Sequence, residues 1–236
     1  MPIAFPKIIS KDYDDIVNSG YFDYRKDSKI FDSISKKHLP LIRNPEVLEL
    51  GIGTGNFAYH LQKLKYKVYG IDNSQDMLNE LNKNYKNLEA KLQDVNKLNL
   101  PKTFDIIFSH AGPLRFNHHR NKIIFESYLK NYEEIKESFK RIKEHLNKNG
   151  LLIMSLNDTK SDLELSKDNR LKREEYKEGN FIFKTRRLLK SDKEIWKIKH
   201  RLFYMSIVNL EQILKNLNFE IIGFDESNSY YICVND

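Results

Sequence analysis

Hydrophobic positions along the chain alternate between short continuous runs and stepped stripes. Val47-Leu48, Val68-Tyr69-Gly70-Ile71, Ile106-Ile107-Phe108 and Leu151-Leu152-Ile153-Met154 are apolar runs of strand length, and Leu88–Leu92 is a weaker one. Runs of this kind belong to a parallel sheet covered on both faces. Between them the period changes. Phe57, Leu61 and Leu64 step as on a helix behind the first run, and Met77-Leu78 opens another behind Ser74, its expected N-cap. Near the end, Ile221–Phe224 and Tyr230–Val234 read as an antiparallel pair after a helix over 209–219. The alternation predicts an α/β, doubly wound, mostly parallel sheet of seven strands.

Two stretches break that rhythm. From Ile124 through Tyr128, Tyr132, Ile135, Phe139, Ile142 and Leu146 the apolar side chains step by threes and fours. That is a long helical stripe, which Asn131 with Glu134 re-caps midway and Asn149-Gly150 ends. Asp158 to Gly179 is polar and reads as loop with some helix. Phe181–Leu188 and Glu194–Tyr204 read as strands joined at Ser191-Asp192-Lys193, with Trp196, Ile198, His200, Leu202 and Tyr204 on one face. The expected layout is one domain: an N-terminal helical arm (1–40), a core (41–157), an inserted antiparallel hairpin (158–205) and a final helix with two strands (206–236).

The chemistry sits at the first turn. Glu49-Leu50-Gly51-Ile52-Gly53-Thr54-Gly55-Asn56 places three glycines between a strand and a helix. Such a turn lets a ligand approach backbone closely and presents helix N–H groups. A dinucleotide fingerprint needs its last glycine at position 56, where Asn56 stands. Glu49 beside the turn suits a cationic ligand better than a diphosphate. Asp72 closes the second strand at about the 20-residue spacing from which an acidic side chain reaches ribose hydroxyls.

The strings E-L-G-I-G-T-G at 49–55 and D-N-S-Q-D-M-L at 72–78 resemble the first motifs of class I S-adenosylmethionine-dependent methyltransferases, with a Rossmann-like sheet. The resemblance runs in order over about residues 46–157 and is closest to small-molecule members such as sugar N,N-dimethyltransferases and glycine N-methyltransferase. It implies S-adenosyl-L-methionine as cofactor. Glu49, Gly51, Gly53 and Gly55 would form its turn, Asp72 with Asn73 would take the ribose, and Met77 would pack on the adenine. Asp94 and the Val95 N–H would bind the adenine edge, and Ser109 would face the cofactor from strand four. In such enzymes a tyrosine-bearing arm folds over the methionine end, which gives Tyr13 and Arg25 contacts there, Arg25 with the carboxylate. The hairpin becomes a roof over the substrate. His110 or an arm tyrosine such as Tyr21 is the candidate base.

Composition narrows the picture further. No metal site is expected: His110, His118 and His119 are three of seven histidines, without a Cys or acidic cluster at ligand spacing. His118 and His119 precede the helical stripe and read as packed or solvated. One Cys in 236 residues excludes an internal disulfide and fits a reducing cytosol. The opening Met1–Pro6 is too short for a secretory signal, and no apolar run reaches membrane-spanning length. The net charge of +7 would suit a polyanion, yet Lys and Asp/Glu interleave along most of the chain, so nucleic acid is not the expected partner. The reading is a methyltransferase acting on nitrogen or oxygen of a small molecule. Its rivals are an RNA or protein methyltransferase and a non-catalytic cofactor-binding module. Arg186 and Arg187 are candidates for an acidic substrate, but neighbours on a strand face opposite ways.

Overall fold

A computed structural model describes residues 13–14, 22–119, 122–157, 162–164 and 169–236. In chain order the first half holds α1 (Tyr24–His38), β1 (Glu46–Leu50), α2 (Asn56–Lys63), β2 (Lys67–Asp72), α3 (Gln75–Asn84), β3 (Glu89–Leu92) and β4 (Phe104–Ser109). Next come β5 (Leu114–His119), β6 (Lys122–Ser127), α4 (Tyr132–Glu144), β7 (Leu146–Asn157) and β8 (Asp162–Glu164). The last part adds β9 (Asn169–Glu178), β10 (Phe181–Lys190), β11 (Lys193–Ser206), α5 (Ile207–Asn216), β12 (Phe219–Phe224) and β13 (Tyr230–Asn235).

Five strands run parallel in the order β3-β2-β1-β4-β7. β13 joins β7 antiparallel and β12 joins β13, completing the expected seven-stranded sheet. Alternate side chains of each central strand enter opposite cores. Val47, Ile106, Phe108 and Ile153 pack with Phe31 of α1, Phe57 and Leu61 of α2 and Leu81 of α3. Leu48, Leu50, Ile107 and Met154 pack with Phe139 of α4 and Ile213 of α5. Both faces are covered, which is why these strands are continuously apolar.

The roof is larger than the expected hairpin. β10 and β11 do pair, with a two-residue turn in which Ser191 and Asp192 hold φ of 47° and 62°, the left-handed pair that such a turn needs. They are, however, the middle of a six-stranded antiparallel sheet in the order β5-β6-β11-β10-β9-β8. Three expectations change accordingly. The polar stretch expected as loop with helix contains β9, which pairs along its length with β10, and its Glu175 meets Arg173 two residues before it and His119 of β5. The stripe expected as helix from Ile124 begins as β6. Helix α4 starts only after Asn131, whose side chain accepts from Glu134 N at 2.9 Å. His118 and His119 end strand β5 instead of preceding a helix, and His119 Nδ1 meets Glu175 at 3.0 Å.

The two sheets join at β7. Its middle pairs with β4 and β13, and its last residues, Leu156 and Asn157, pair with Phe116 and Asn117 of β5. The antiparallel sheet therefore springs from the carboxyl edge of the parallel one, where open α/β sheets bind ligands.

Candidate active site

One cleft, of about 1270 Å³ including its open mouth, runs from the glycine turn to the concave face of the roof. The turn rests on β2: Gly51 N and Ile52 N both donate to the Ile71 carbonyl, at 2.8 and 3.0 Å. Gly53 N donates to Asp72 Oδ2 at 2.9 Å, and Asp72 Oδ1 accepts from Ser74 N at 2.8 Å. Gly53 has φ of 56°, and no atom lies within 4 Å of where its side chain would stand. Glycine alone takes that conformation cheaply, and it leaves the turn open toward the cleft. Burial raises the Asp72 pKa, while the backbone N–H groups of Ser74, Gly53 and Asn73 pull it back.

Farther along, Ser74 caps α3 by accepting from Met77 N at 3.3 Å, which seats the buried Met77 in the cleft wall. Asp94, Val95 and Asn73 line the same wall. Asp94 stands at the N-terminus of a short 3-10 turn over Val95–Lys97, but its side chain makes no capping bond. That carboxylate lines the cleft without capping its own turn.

Glu49 closes the acidic end. It is 3% exposed and its Oε2 has no hydrogen-bond partner. Burial, and then the neighbouring Asp72, push its pKa well above the ordinary value. A wall holding Glu49, Asp72 and Asp94 repels a diphosphate and favours a cation. A carboxyl with a raised folded pKa contributes stability present below its unfolded value of 4.5 and lost as pH rises through the folded value. The ligand-free Glu49→Gln variant should therefore match wild type in acid and unfold at a higher temperature in alkali. Thermal unfolding across pH checks this, and a variant weaker at every pH would mean that Glu49 stabilises the empty fold.

His110 begins the loop after β4 and is buried. Its ring stacks on Phe57, centroids 4.4 Å apart and planes at 9°. Nδ1 lies 3.2 Å from the Tyr230 hydroxyl and Nε2 lies 3.4 Å from Asp27 Oδ2. The ring thus lines the cleft with Nδ1 at the Tyr230 hydroxyl, while Nε2 lies within ion-pair reach of Asp27 but makes no hydrogen bond. Tyr24 packs edge-on against it, and burial followed by Tyr13 raises the Tyr24 phenol well above its ordinary value.

The arm is tied down by the acidic neighbour of Tyr13. Asp14 Oδ1 accepts from Thr54 Oγ1 at 2.6 Å and Asn56 Nδ2 at 2.7 Å, and Oδ2 from Asn84 Nδ2 at 2.9 Å. Its neighbour Tyr13 lines the cleft. Two other expectations fare differently. Arg25 is exposed in the first turn of α1 and is not among the residues lining the cleft. Ser109 is fully buried and accepts from Leu114 N at 3.2 Å, so its hydroxyl shapes the loop and does not face a ligand. Close packing there admits only glycine at 112, where a Cβ would sit 2.4 Å from the Leu50 carbonyl oxygen. Tyr21 lies outside the described residues.

The roof end has the opposite character. Arg115, Asn117, Tyr128, Asn157 and Arg186 line it. Arg115 is 2% exposed, donates to the Gly112 carbonyl at 2.7 Å and stacks over Tyr128 at 4.7 Å. Behind it lies a buried ion pair, Lys184 Nζ to Glu126 Oε1 and Oε2 at 2.7 and 2.6 Å, with Asn117 Nδ2 donating to Glu126 at 2.7 Å. No sequence signal for this group was read, because its members come from β5, β6 and β10. Among the described residues no three metal-ligating side chains cluster, and no helix is long and apolar enough to cross a membrane.

A family model described as a methyltransferase domain matches residues 47–150. Carboxy-S-adenosyl-L-methionine synthases of Campylobacter jejuni are 28% identical over 169 residues, 70% of this chain and 65% of theirs. The chain thus spans a little under two thirds of the length of these curated relatives. An S-adenosylmethionine-dependent methyltransferase from Clostridium acetobutylicum has the same fold, with TM-score 0.73, 19% identity and coverage of 96% of this chain and 97% of that one. So does an amino pentose methyltransferase of calicheamicin biosynthesis from Micromonospora echinaspora, solved with S-adenosylmethionine bound, at TM-score 0.73, 12% identity and coverage of 99% and 98%.

Proposed function

We propose that this chain is a class I S-adenosylmethionine-dependent methyltransferase that takes S-adenosyl-L-methionine as its cofactor and transfers the methyl group to nitrogen or oxygen of a small molecule. The observation that carries the reading is the cleft itself. An acidic turn built by Glu49, Gly53 and Asp72 shares one cleft of about 1270 Å³, open mouth included, with a roof end lined by Arg115, Asn117 and Arg186.

Once bound, the cofactor supplies a methyl group already activated by its sulfonium, so the protein has to align the acceptor and exclude water. Asp72 would take the ribose hydroxyls, Asp94 and the Val95 N–H would take the adenine edge, and Met77 would pack on the ring. Glu49 faces the cationic end. Alignment of this kind accounts for about 7–11 kcal/mol of barrier. His110, backed by Asp27 and Tyr230, is placed to hold a proton leaving an amine acceptor. The buried Cys233 fits a reducing cytosol as the place of reaction.

Incubating the protein with methyl-labelled cofactor and a cell extract tests the reading. Label should appear in the low-mass fraction. Label confined to RNA or protein would overturn the small-molecule assignment. A second reading comes from the name of the curated relatives: the cationic roof end suits a carboxylate borne by the cofactor itself. Mass spectrometry of the cofactor recovered from the protein separates the two, since that reading requires a carboxylated species.

A further inference from the structure

We propose that Asp14 is a positioning residue for the cofactor: it clasps residues 13–14 to the glycine turn and so sets Tyr13 at the Glu49 end of the cleft. The inference rests on the methyl-transfer reading and names a residue that acts on cofactor retention through its neighbours.

Asp14 is not among the residues lining the cleft, while Tyr13 beside it is. The Asp14 carboxylate joins three elements that lie far apart in the chain. Oδ1 accepts from Thr54 Oγ1 in the glycine turn and from Asn56 Nδ2 at the start of α2, and Oδ2 accepts from Asn84 Nδ2 at the end of α3. Two of these donors are themselves fixed. Asn56 Nδ2 also donates to Thr54 Oγ1 at 3.1 Å, and Asn56 Oδ1 accepts from the Tyr85 hydroxyl at 2.7 Å. An ionised carboxylate only accepts, so the Asn56 amide has one orientation in this network. Thr54 is 1% exposed and gives its single hydroxyl proton to Asp14. All three donors are neutral, so the clasp holds by geometry and not by ion pairing.

Thr54 carries the connection to the cofactor. It stands between Gly53, whose N–H binds Asp72, and Gly55, which precedes α2 with φ of 87°. The turn that receives the cofactor on one side is therefore gripped by Asp14 through Thr54. Tyr13 fixes the other end. It shares a side-chain hydrogen bond with Tyr24, which packs edge-on against Phe57 and His110 and lies in the field of Glu49. Strand β1, which carries Glu49, lies two strands from β3, which Asp94 follows, a spacing of about 10 Å across the sheet. The clasp thus serves the amino-acid end of the cofactor and not its nucleoside. A bound cofactor steadies the turn that Asp14 grips, and a closed clasp steadies the bound cofactor, which is reciprocal coupling.

Calorimetric titration tests this with two probes, S-adenosylhomocysteine and methylthioadenosine, the second lacking the amino acid. Asp14→Ala should weaken S-adenosylhomocysteine by about tenfold or more, as for a lost hydrogen bond to a charged group, and leave methylthioadenosine unchanged. Asn84 is exposed and outside the cleft, so Asn84→Ala should weaken S-adenosylhomocysteine in the same direction only through Asp14. Asp14→Asn keeps an oxygen for Thr54 and Asn56 and should recover most of the loss. Asp14→Asn as weak as Asp14→Ala would make the carboxylate a counter-charge for the ligand, and equal losses for both probes would make it a support of the turn. Either result, or wild-type affinity in Asp14→Ala, would overturn the clasp alone. Failure of S-adenosylhomocysteine to bind wild type would instead remove the methyl-transfer reading, and this inference with it.

Discussion

Glu126→Ala should lose about 3–5 kcal/mol of folding stability, the usual cost of breaking a buried ion pair from one side. Glu126 is 1% exposed and accepts from Lys184 and Asn117, with Arg115 close by. Removing it leaves Arg115 and Lys184 buried without their nearest counter-charge, with only Glu175 left, 3.9 Å from Lys184. Against a typical total of about 5–15 kcal/mol, that is enough to unfold much of the protein at physiological temperature. The acid limb carries a second signature. Burial works to raise the Glu126 pKa, but Lys184 and then Arg115 outweigh it and the folded value lies below the ordinary 4.5. A carboxyl depressed in this way contributes stability above its unfolded pKa and loses it as pH falls through the folded one. Urea unfolding at neutral and acid pH should show a large loss for Glu126→Ala at neutrality that shrinks in acid. Equal midpoints at neutrality would mean that the pair is compensated elsewhere in the roof.

Asp72→Ala should weaken the cofactor by about 1.5–3 kcal/mol, as for a lost hydrogen bond to a charged group. Its two oxygens also hold the N–H groups of Gly53 and Ser74, so the glycine turn loosens with it. Asp72→Asn keeps an acceptor for one of those contacts and should fall between the two. Calorimetry against S-adenosylhomocysteine reads the series. Wild-type affinity in Asp72→Ala would place the ribose elsewhere in the cleft.

The cofactor half of the site was legible because its signals are local. The glycine turn, Asp72 and the Ser74 cap each depend on neighbours a few residues away or on the strand next door. The number of strands in the main sheet followed from the same regularity. The roof was only half legible. Trp196, Ile198, His200 and Leu202 alternate cleanly and gave β11, and Ser191-Asp192 marked its turn. β6 was hidden because Ile124 and Tyr128 also fit the step of the helix that follows, and only the Asn131 cap marks the change. β9 looked like loop because its inward positions are Arg173 and Glu175, which are polar by composition yet paired in space. The Lys184–Glu126 pair joins residues 58 positions apart. No window along the chain can display such a contact. Ser109 and Arg25 show the converse failure. Motif position suggested ligand contact, while packing gave Ser109 to its own loop and left Arg25 exposed on the first turn of α1.

The central claim is that the acidic glycine turn makes this cleft a site for S-adenosyl-L-methionine and not for a dinucleotide. Parallel calorimetric titrations of the wild-type protein with S-adenosylhomocysteine and with NAD test it most directly. Saturable binding of S-adenosylhomocysteine at one site per chain, with no heat from NAD, is the predicted result; tight binding of NAD with none of S-adenosylhomocysteine would contradict it.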